Sequence, residues 1–244
     1  MLKASTKADV LRQVVDVVST LVDEAKFKVD KEGISLRAVD PAHVAMVELT
    51  LTKKAFDHYE GSETELGIEM EKLDDILRLA HLGDSLTIEH NDKEPKLIVK
   101  IGHLTRKMAL VDTTAMSDPK VPNIELPSSI VLKAEKLNYG LRASNQISDH
   151  IALVAEEGYF EMSSEGDSDS VEYRLPREEL IALDSKQRVR SLFPLDYFQN
   201  MAKAISPESQ VTINLGNNYP VRIEFDIAEG QGHVKYLLAP RVES

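Results

Sequence analysis

The 244-residue chain contains no cysteine. That absence removes disulfides, together with every zinc or iron–sulfur site that needs thiolate ligands. No stretch approaches the ~20 consecutive apolar residues of a membrane-spanning helix. The opening Met1-Leu2-Lys3-Ala4-Ser5-Thr6 lacks the apolar region of a signal peptide, so the expectation is a soluble protein of the cell interior. Signatures of common chemistry are missing as well. The seven histidines never stand four residues apart, so there is no His-Glu-x-x-His metal site. There is also no phosphate-cradling G-x-x-x-x-G-K-[ST] loop, no G-x-G-x-x-G and no G-x-S-x-G. Asp167-Ser168-Asp169 raises a divalent cation site, but it lacks the glycine and bidentate-Glu spacing of a calcium loop and reads more simply as a solvated acidic hairpin tip. Asp40 stands near His43, yet adjacency in sequence carries little weight as an acid/base pair without a pocket. No catalytic residue, metal or cofactor is expected, and an enzyme is the weaker class of function.

What the chain does have is a repeated plan. Val10, Leu11, Val14, Val15, Val18, Leu21 and Val22 recur at spacings of three and four, which is one face of a helix. The period then drops to two. Phe27 and Val29, a Lys31-Glu32-Gly33 turn and Ile34, Leu36 and Ala38 read as a hairpin. Strand rhythm continues at Val47, Leu49 and Leu51, a short helix follows at Leu73, Ile76, Leu77 and Ala80, and strands resume from Leu86 to Leu110. After Pro127 the same order returns. Leu137, Gly140, Leu141, Ser144 and Ile147 form a helical stripe, a hairpin turns at Glu156-Glu157-Gly158, and Phe198, Met201, Ala202 and Ile205 give the second short helix. On this reading Leu195-Asp196 corresponds to Leu73-Asp74. Strands then run to Leu238. A period of about 125 residues is too long for a solenoid and implies two similar domains. The expected division is 1–112, a connector at 113–127, and 128–244. The connector carries three prolines and no apolar rhythm, at a length where loops are usually functional or linkers. Its Met116, Val121 and Ile124 need cover or a partner.

Net charge is −12, which as a bulk number opposes nucleic-acid binding, although a local patch can act against it. Each expected helix carries one cation away from its apolar stripe: Arg12, Arg78, Arg142 and Lys203. The four helical segments hold a net +1 and the remainder −13. Ordinary polar helix faces would account for each cation singly; their recurrence, one per helix, favours a shared role.

Two stretches, Gly33–Leu51 (GISLRAVDPAHVAMVELTL) and Gly232–Glu243 (GHVKYLLAPRVE), resemble the proliferating cell nuclear antigen family of sliding DNA clamps of archaea and eukaryotes, more closely its archaeal branch. The resemblance covers the whole chain. It implies an α+β fold of two similar clamp domains, with helices on the inner face and antiparallel sheets outside, three subunits closing head to tail into a ring. The implied function is a DNA polymerase sliding clamp, or processivity factor, with no catalysis of its own. It would encircle duplex DNA without regard to sequence and tether polymerase, clamp loader and other replication and repair proteins. The implied place is the cytoplasm, associated with the nucleoid, or the nucleus in a eukaryote. A subunit of a heteromeric or checkpoint-type clamp is the alternative, and a metal-dependent hydrolase using Asp167, Asp169 or His43 is the alternative of a different class.

The same resemblance implies sites. Arg12, Arg78, Arg142 and Lys203 would face the duplex backbone, while Asp75 and Tyr139 stand where family members often carry a cation. Subunits would join edge to edge, His103–Val111 against Ser170–Leu175. The contributing residues would be Leu104, Arg106, Lys107, Met108 and Leu110 on one side, and Val171, Glu172, Tyr173 and Arg174 on the other. Arg106 and Lys107 would offer a charge match to Asp169 and Glu172. Partner proteins would insert a Gln-x-x-aliphatic-x-x-aromatic-aromatic peptide against Val39, His43, Val44, Pro119, Val121, Pro122, Pro220, Leu237, Leu238, Ala239 and Pro240. Within the last strand, alternation points Val234, Tyr236 and Leu238 to the core and leaves Leu237 outward.

Overall fold

The computed structural model describes residues 1–241; residues 242–244, which close the expected second domain and the quoted tail, lie outside the described residues. The chain divides into two compact units. One comprises 1–120 with 226–234, the other 121–225 with the chain from 235 onward.

The first unit runs β1 (Leu2–Lys7), α1 (Ala8–Ser19), β2 (Glu24–Val29), β3 (Gly33–Val39), β4 (Ala45–Thr52), β5 (His58–Gly61), β6 (Thr64–Glu69), α2 (Met70–Leu77), β7 (Ser85–His90), β8 (Lys96–Ile101) and β9 (Leu104–Ala109). Its strands lie in the orders β5-β1-β7-β8-β9 and β6-β2-β3-β4, antiparallel throughout. Helix α1 contains five valines and has no side-chain cap at its N-terminus. β-Branched residues are indifferent helix formers. Burial of Leu11, Val14, Val15, Val17 and Val18 therefore holds the helix more than propensity does. The β2–β3 turn is fixed by Asp30, whose Oδ1 accepts from the amides of Glu32 (2.7 Å) and Gly33 (3.0 Å). At Gly33 a Cβ would stand 2.1 Å from the carbonyl oxygen of Leu51, so the close approach of β4 requires glycine there.

From residue 128 onward the order repeats: β10 (Ser128–Lys133), α3 (Ala134–Ser144), β11 (His150–Glu156), β12 (Tyr159–Glu165), β13 (Ser170–Pro176), β14 (Ala182–Asp184), β15 (Val189–Pro194), α4 (Leu195–Lys203), β16 (Gln210–Leu215), β17 (Val221–Ile227) and β18 (Gly232–Leu238), residues 226–234 of this stretch falling in the first unit. Strand orders are β14-β10-β16-β17-β18 and β13-β12-β11-β15. Element for element this matches the first unit. In each, two helices pack side by side, α1 with α2 and α3 with α4, against the strands of their own unit.

Strands β1 and β10, each directly before the first helix of its unit, are not apparent in the sequence because Ala4 and Thr6 in one and Ser128 in the other, small or polar residues, take inward positions and blur the apolar alternation. Leu2, Ala4 and Thr6 are nevertheless buried in β1, and Ser128, Ile130 and Leu132 in β10. The equivalence of Leu195-Asp196 with Leu73-Asp74 is also corrected. Helix α4 starts at Leu195 and α2 at Met70, so Leu195 corresponds to Met70. Periodicity locates a helical face but slides along it by a turn.

Candidate functional site

On the first unit's helix pair, Arg12 and Asp16 of α1 lie on the polar side. The Arg12 guanidinium is half-buried and turned back onto the fold. Its Nη1 donates to Asp9 at 2.7 Å, while Nη2 donates to the carbonyl oxygens of Leu77, at 2.8 Å, and Ala80. Leu77 ends α2, whose last carbonyls have no intrahelical partners, so Arg12 is a cap for the neighbouring helix. This corrects the expectation that Arg12 faces a duplex, because three of its donor directions are turned onto Asp9 and the end of α2 inside the fold. Arg78 is 76% exposed but lies 2.6 Å from Asp74, whose hydrogen bond and charge raise its pKa. The Asp16 carboxyl is pushed above the usual carboxylate range, first by desolvation and then by the charge of Asp74, against the opposing pull of Arg12 and Arg78. Asp16 and Asp75 are exposed, while Asp9 and Asp74 are half-buried.

The second unit's helix pair is built differently. Arg142 is exposed and makes no hydrogen bond or ion pair among the described residues. Lys203 donates only to Asn200 Oδ1 at 3.1 Å. Between α3 and α4 runs an open groove of about 490 Å³, lined by Glu135, Asn138, Leu141, Arg142, Asn145, Gln199, Lys203 and Pro207. Gln199 Nε2 donates to the carbonyl of Leu141 at 3.2 Å and ties the helices together. Two cations and three side-chain amides against a single carboxylate suit an anionic backbone that is contacted but not read. At Gly140 a Cβ would come within 2.6 Å of Met162 and 2.9 Å of Tyr173, so glycine lets α3 sit close on β12 and β13. Tyr139, 57% exposed, lies with its ring 5.0 Å from that of Tyr173.

Counting from the helix starts at Ala8 and Ala134, Arg12 corresponds to Asn138, and Arg142 corresponds to Asp16. The cations of α2 and α4 do correspond: Arg78 and Lys203 each stand eight residues after their helix start. One cation per helix is therefore not an equivalence, and α2 also carries Lys72 and α3 Lys136.

Strands β9 and β13 each end a sheet, leaving a row of backbone donors and acceptors unpaired. On β9, Leu104 is 43% exposed and Lys107 is exposed, while Met108 is only 4% exposed. Met108 is thereby corrected from a subunit contact to a core residue, since alternation turns it inward. Leu110 is half-buried, as are Val171 and Tyr173. Arg106 lies 3.6 Å from Asp75, and Arg174 holds both Glu161, at 2.7 Å, and Glu172, at 3.2 Å. Arg106 and Glu172 thus already have partners within the chain, which leaves Lys107 and Asp169 as the less committed charges.

The expected partner-contact residues divide between the units. In the first, Asp40 is buried and its carboxylate accepts from the amides of Ala42 (3.0 Å), Val44 (2.7 Å) and Ala45 (2.7 Å). It is a loop organiser, with His43 held exposed at φ 57°. Val39, Val44 and Pro119 are half-buried. Val121 and Pro122 are exposed, and Pro220, Ala239 and Pro240 half-buried. Leu238 has no exposed surface and Leu237 is 9% exposed, which corrects both as open contact residues. Alternation fails at the end of β18, where Tyr236, Leu237 and Leu238 are buried in succession, so both faces of the strand are covered there. Among the described residues no three His, Asp or Glu side chains converge to hold a metal, and no helix is long and apolar enough to cross a membrane.

Residues 1–119 match the family model "Proliferating cell nuclear antigen, N-terminal domain", and residues 120–241 match its C-terminal counterpart. The chain belongs to the proliferating cell nuclear antigen family of sliding clamps. Among its relatives are proteins named DNA polymerase sliding clamp from Methanocella arvoryzae, 44% identical, and Methanococcoides burtonii, 41% identical, each matched over all of both chains. A solved structure described as the C-terminal region of FEN-1 bound to A. fulgidus PCNA superposes with a TM-score of 0.95 at 33% identity, over all of both chains. The family clamp of Thermococcus kodakaraensis gives 0.92 at 25% identity, covering 99% of this chain and all of that one. The archaeal clamp relatives thus share both domains with this chain over their whole length, and the α+β plan of two similar clamp domains is theirs.

Proposed function

We propose that this chain is a DNA polymerase sliding clamp that closes, three copies head to tail, into a ring around duplex DNA. The single observation that carries this reading is the open groove between α3 and α4, lined by Arg142, Lys203 and three side-chain amides. Its chemistry, two cations and three amides against one carboxylate, fits phosphate. Duplex contact falls on Arg142 and Lys203, with Arg78 weakened by Asp74. Contact of this kind is loose and salt-sensitive, so retention on DNA depends on topological linkage more than on affinity. Strand β9 of one copy pairs with β13 of the next, a heterologous contact that closes by rotation. Residues 113–127 serve as the connector between clamp domains spanning 1–112 and 128–244. Polymerase, loader and repair proteins contact the protein through short peptides, at His43 and Val44 in the first unit and at Val121, Pro122, Ala239 and Pro240 in the second. The protein supplies tethering and no catalysis, and works in the cytoplasm at the nucleoid.

Light scattering at micromolar concentration is expected to give three times the 27.2 kDa chain mass, and Leu104→Asp is expected to reduce it to the single-chain value. A monomeric unsubstituted protein would sink the homotrimer.

A further inference from the structure

The start of the connector follows a defined path over the first unit. Val111 donates its amide to the Gly67 carbonyl at 2.8 Å. A Cβ at Gly67 would stand 2.2 Å from the Val111 oxygen, so the missing side chain lets the connector lie flush on β6. Its next support is Lys26, directly opposite Gly67 in the β2–β6 register. Lys26 is only 9% exposed. Its Nζ donates to the Met116 carbonyl and to Asp118 Oδ2, both at 3.2 Å, with Glu65 farther off at 3.9 Å. Lys28 Nζ reaches the same Asp118 oxygen at 2.8 Å. These two lysines hold the Asp118 carboxyl below the usual carboxylate range. From Pro119 to Pro127 no residue makes a hydrogen bond or ion pair among the described residues. Asp118 is thus the last fixed point before the exposed Val121 and Pro122.

We infer that Asp118, clamped by Lys26, is a positioning residue for partner binding, because it sets where the free stretch of the connector begins. The inference rests on the partner-binding reading above. A nearly buried ammonium needs its counter-charge, so the clamp is not an ordinary surface pair, whereas the exposed Lys28–Asp118 contact alone contributes little. Releasing the clamp frees the connector from Met116 onward, and a bound peptide must then order it again, which lowers affinity without removing any peptide contact.

The test is calorimetry of the full-length protein with a synthetic peptide of the Gln-x-x-aliphatic-x-x-aromatic-aromatic pattern. Asp118→Asn is expected to weaken binding about fivefold, with a less favourable entropy, while Asp118→Glu recovers most of the loss. Amide exchange over 113–118 is expected to speed up in Asp118→Asn and to stay unchanged in the strands of the first unit. Affinity within about twofold of the unsubstituted protein overturns the positioning role. Failure of the unsubstituted protein to bind the peptide is a different result, which overturns the partner-binding reading and this inference with it.

Discussion

On α1, Arg12 folds back onto the end of the neighbouring helix and Asp16 occupies the outward position one turn later. On α3 the corresponding positions hold Asn138 and Arg142, and both line an open groove. The two helix pairs share one backbone plan, yet the first uses its charges internally while the second leaves them to solvent. A cation's presence on a polar face therefore says little about its availability. What decides is whether carbonyls or carboxylates of the same fold lie within its reach. Arg12 has the end of α2 beside it and Arg78 has Asp74 four residues back, whereas Arg142 has neither.

Reversing the free charges attacks this contrast most directly. Arg142→Glu combined with Lys203→Glu is expected to lower polymerase stimulation at least about tenfold, and to flatten the salt dependence of DNA binding. Both side chains are exposed, so thermal unfolding should be unchanged. Full stimulation by the double variant would remove the second unit's groove from the DNA-contact model.

Arg12→Ala should behave in the opposite way. It leaves the last carbonyls of α2 without their charged donor, and charge-assisted hydrogen bonds of this kind contribute about 2 kcal/mol. A lower melting temperature with nearly normal DNA retention is the expected pair of results. A large loss of DNA retention at unchanged stability would return Arg12 to the duplex-facing set.

The smallest effect concerns Asp16. Its pKa is raised in the folded protein, so the folded state holds this proton more tightly than the unfolded state does. The group's contribution to stability is then most favourable below the ordinary carboxylate pKa and is lost as pH rises through the raised folded value. Asp16→Asn should accordingly melt slightly higher than the unsubstituted protein at neutral pH, with the difference closing in acid. An equal difference at every pH would mean that the carboxylate is not under electrostatic load, and the contrast between the helix faces would shrink to Arg142 alone.

Much of the plan is legible in the residue order alone. The apolar stripes of all four helices, the hairpin turns at Gly33 and Gly158 and the long duplicated period follow from residue spacing. Burial at i, i+3 and i+4, or at every second residue, leaves a pattern that survives in one dimension. Weaker signals do not survive. Strands β1 and β10 place Ala4, Thr6 and Ser128 inward, which blurs their alternation, and the match of α4 to α2 slips by about one turn because successive turns of a helix present similar stripes. Leu237 read as outward by alternation, but the rule assumes that one sheet face is wet, and at the end of β18 both are covered.

By itself, then, the sequence determined the duplicated α+β plan, the absence of thiol chemistry, and a resemblance strong enough to name the family. Those properties depend on local spacing and composition. Only the tertiary structure decided that Arg12 is a helix cap, that Met108 and Leu238 lie inside, and that Asp118 is seated on a nearly buried lysine. Each of those depends on partners far away in the chain or on which face is covered. Hydrogen bonds and charges at such range leave no period in the sequence, because their partners are brought together by packing alone.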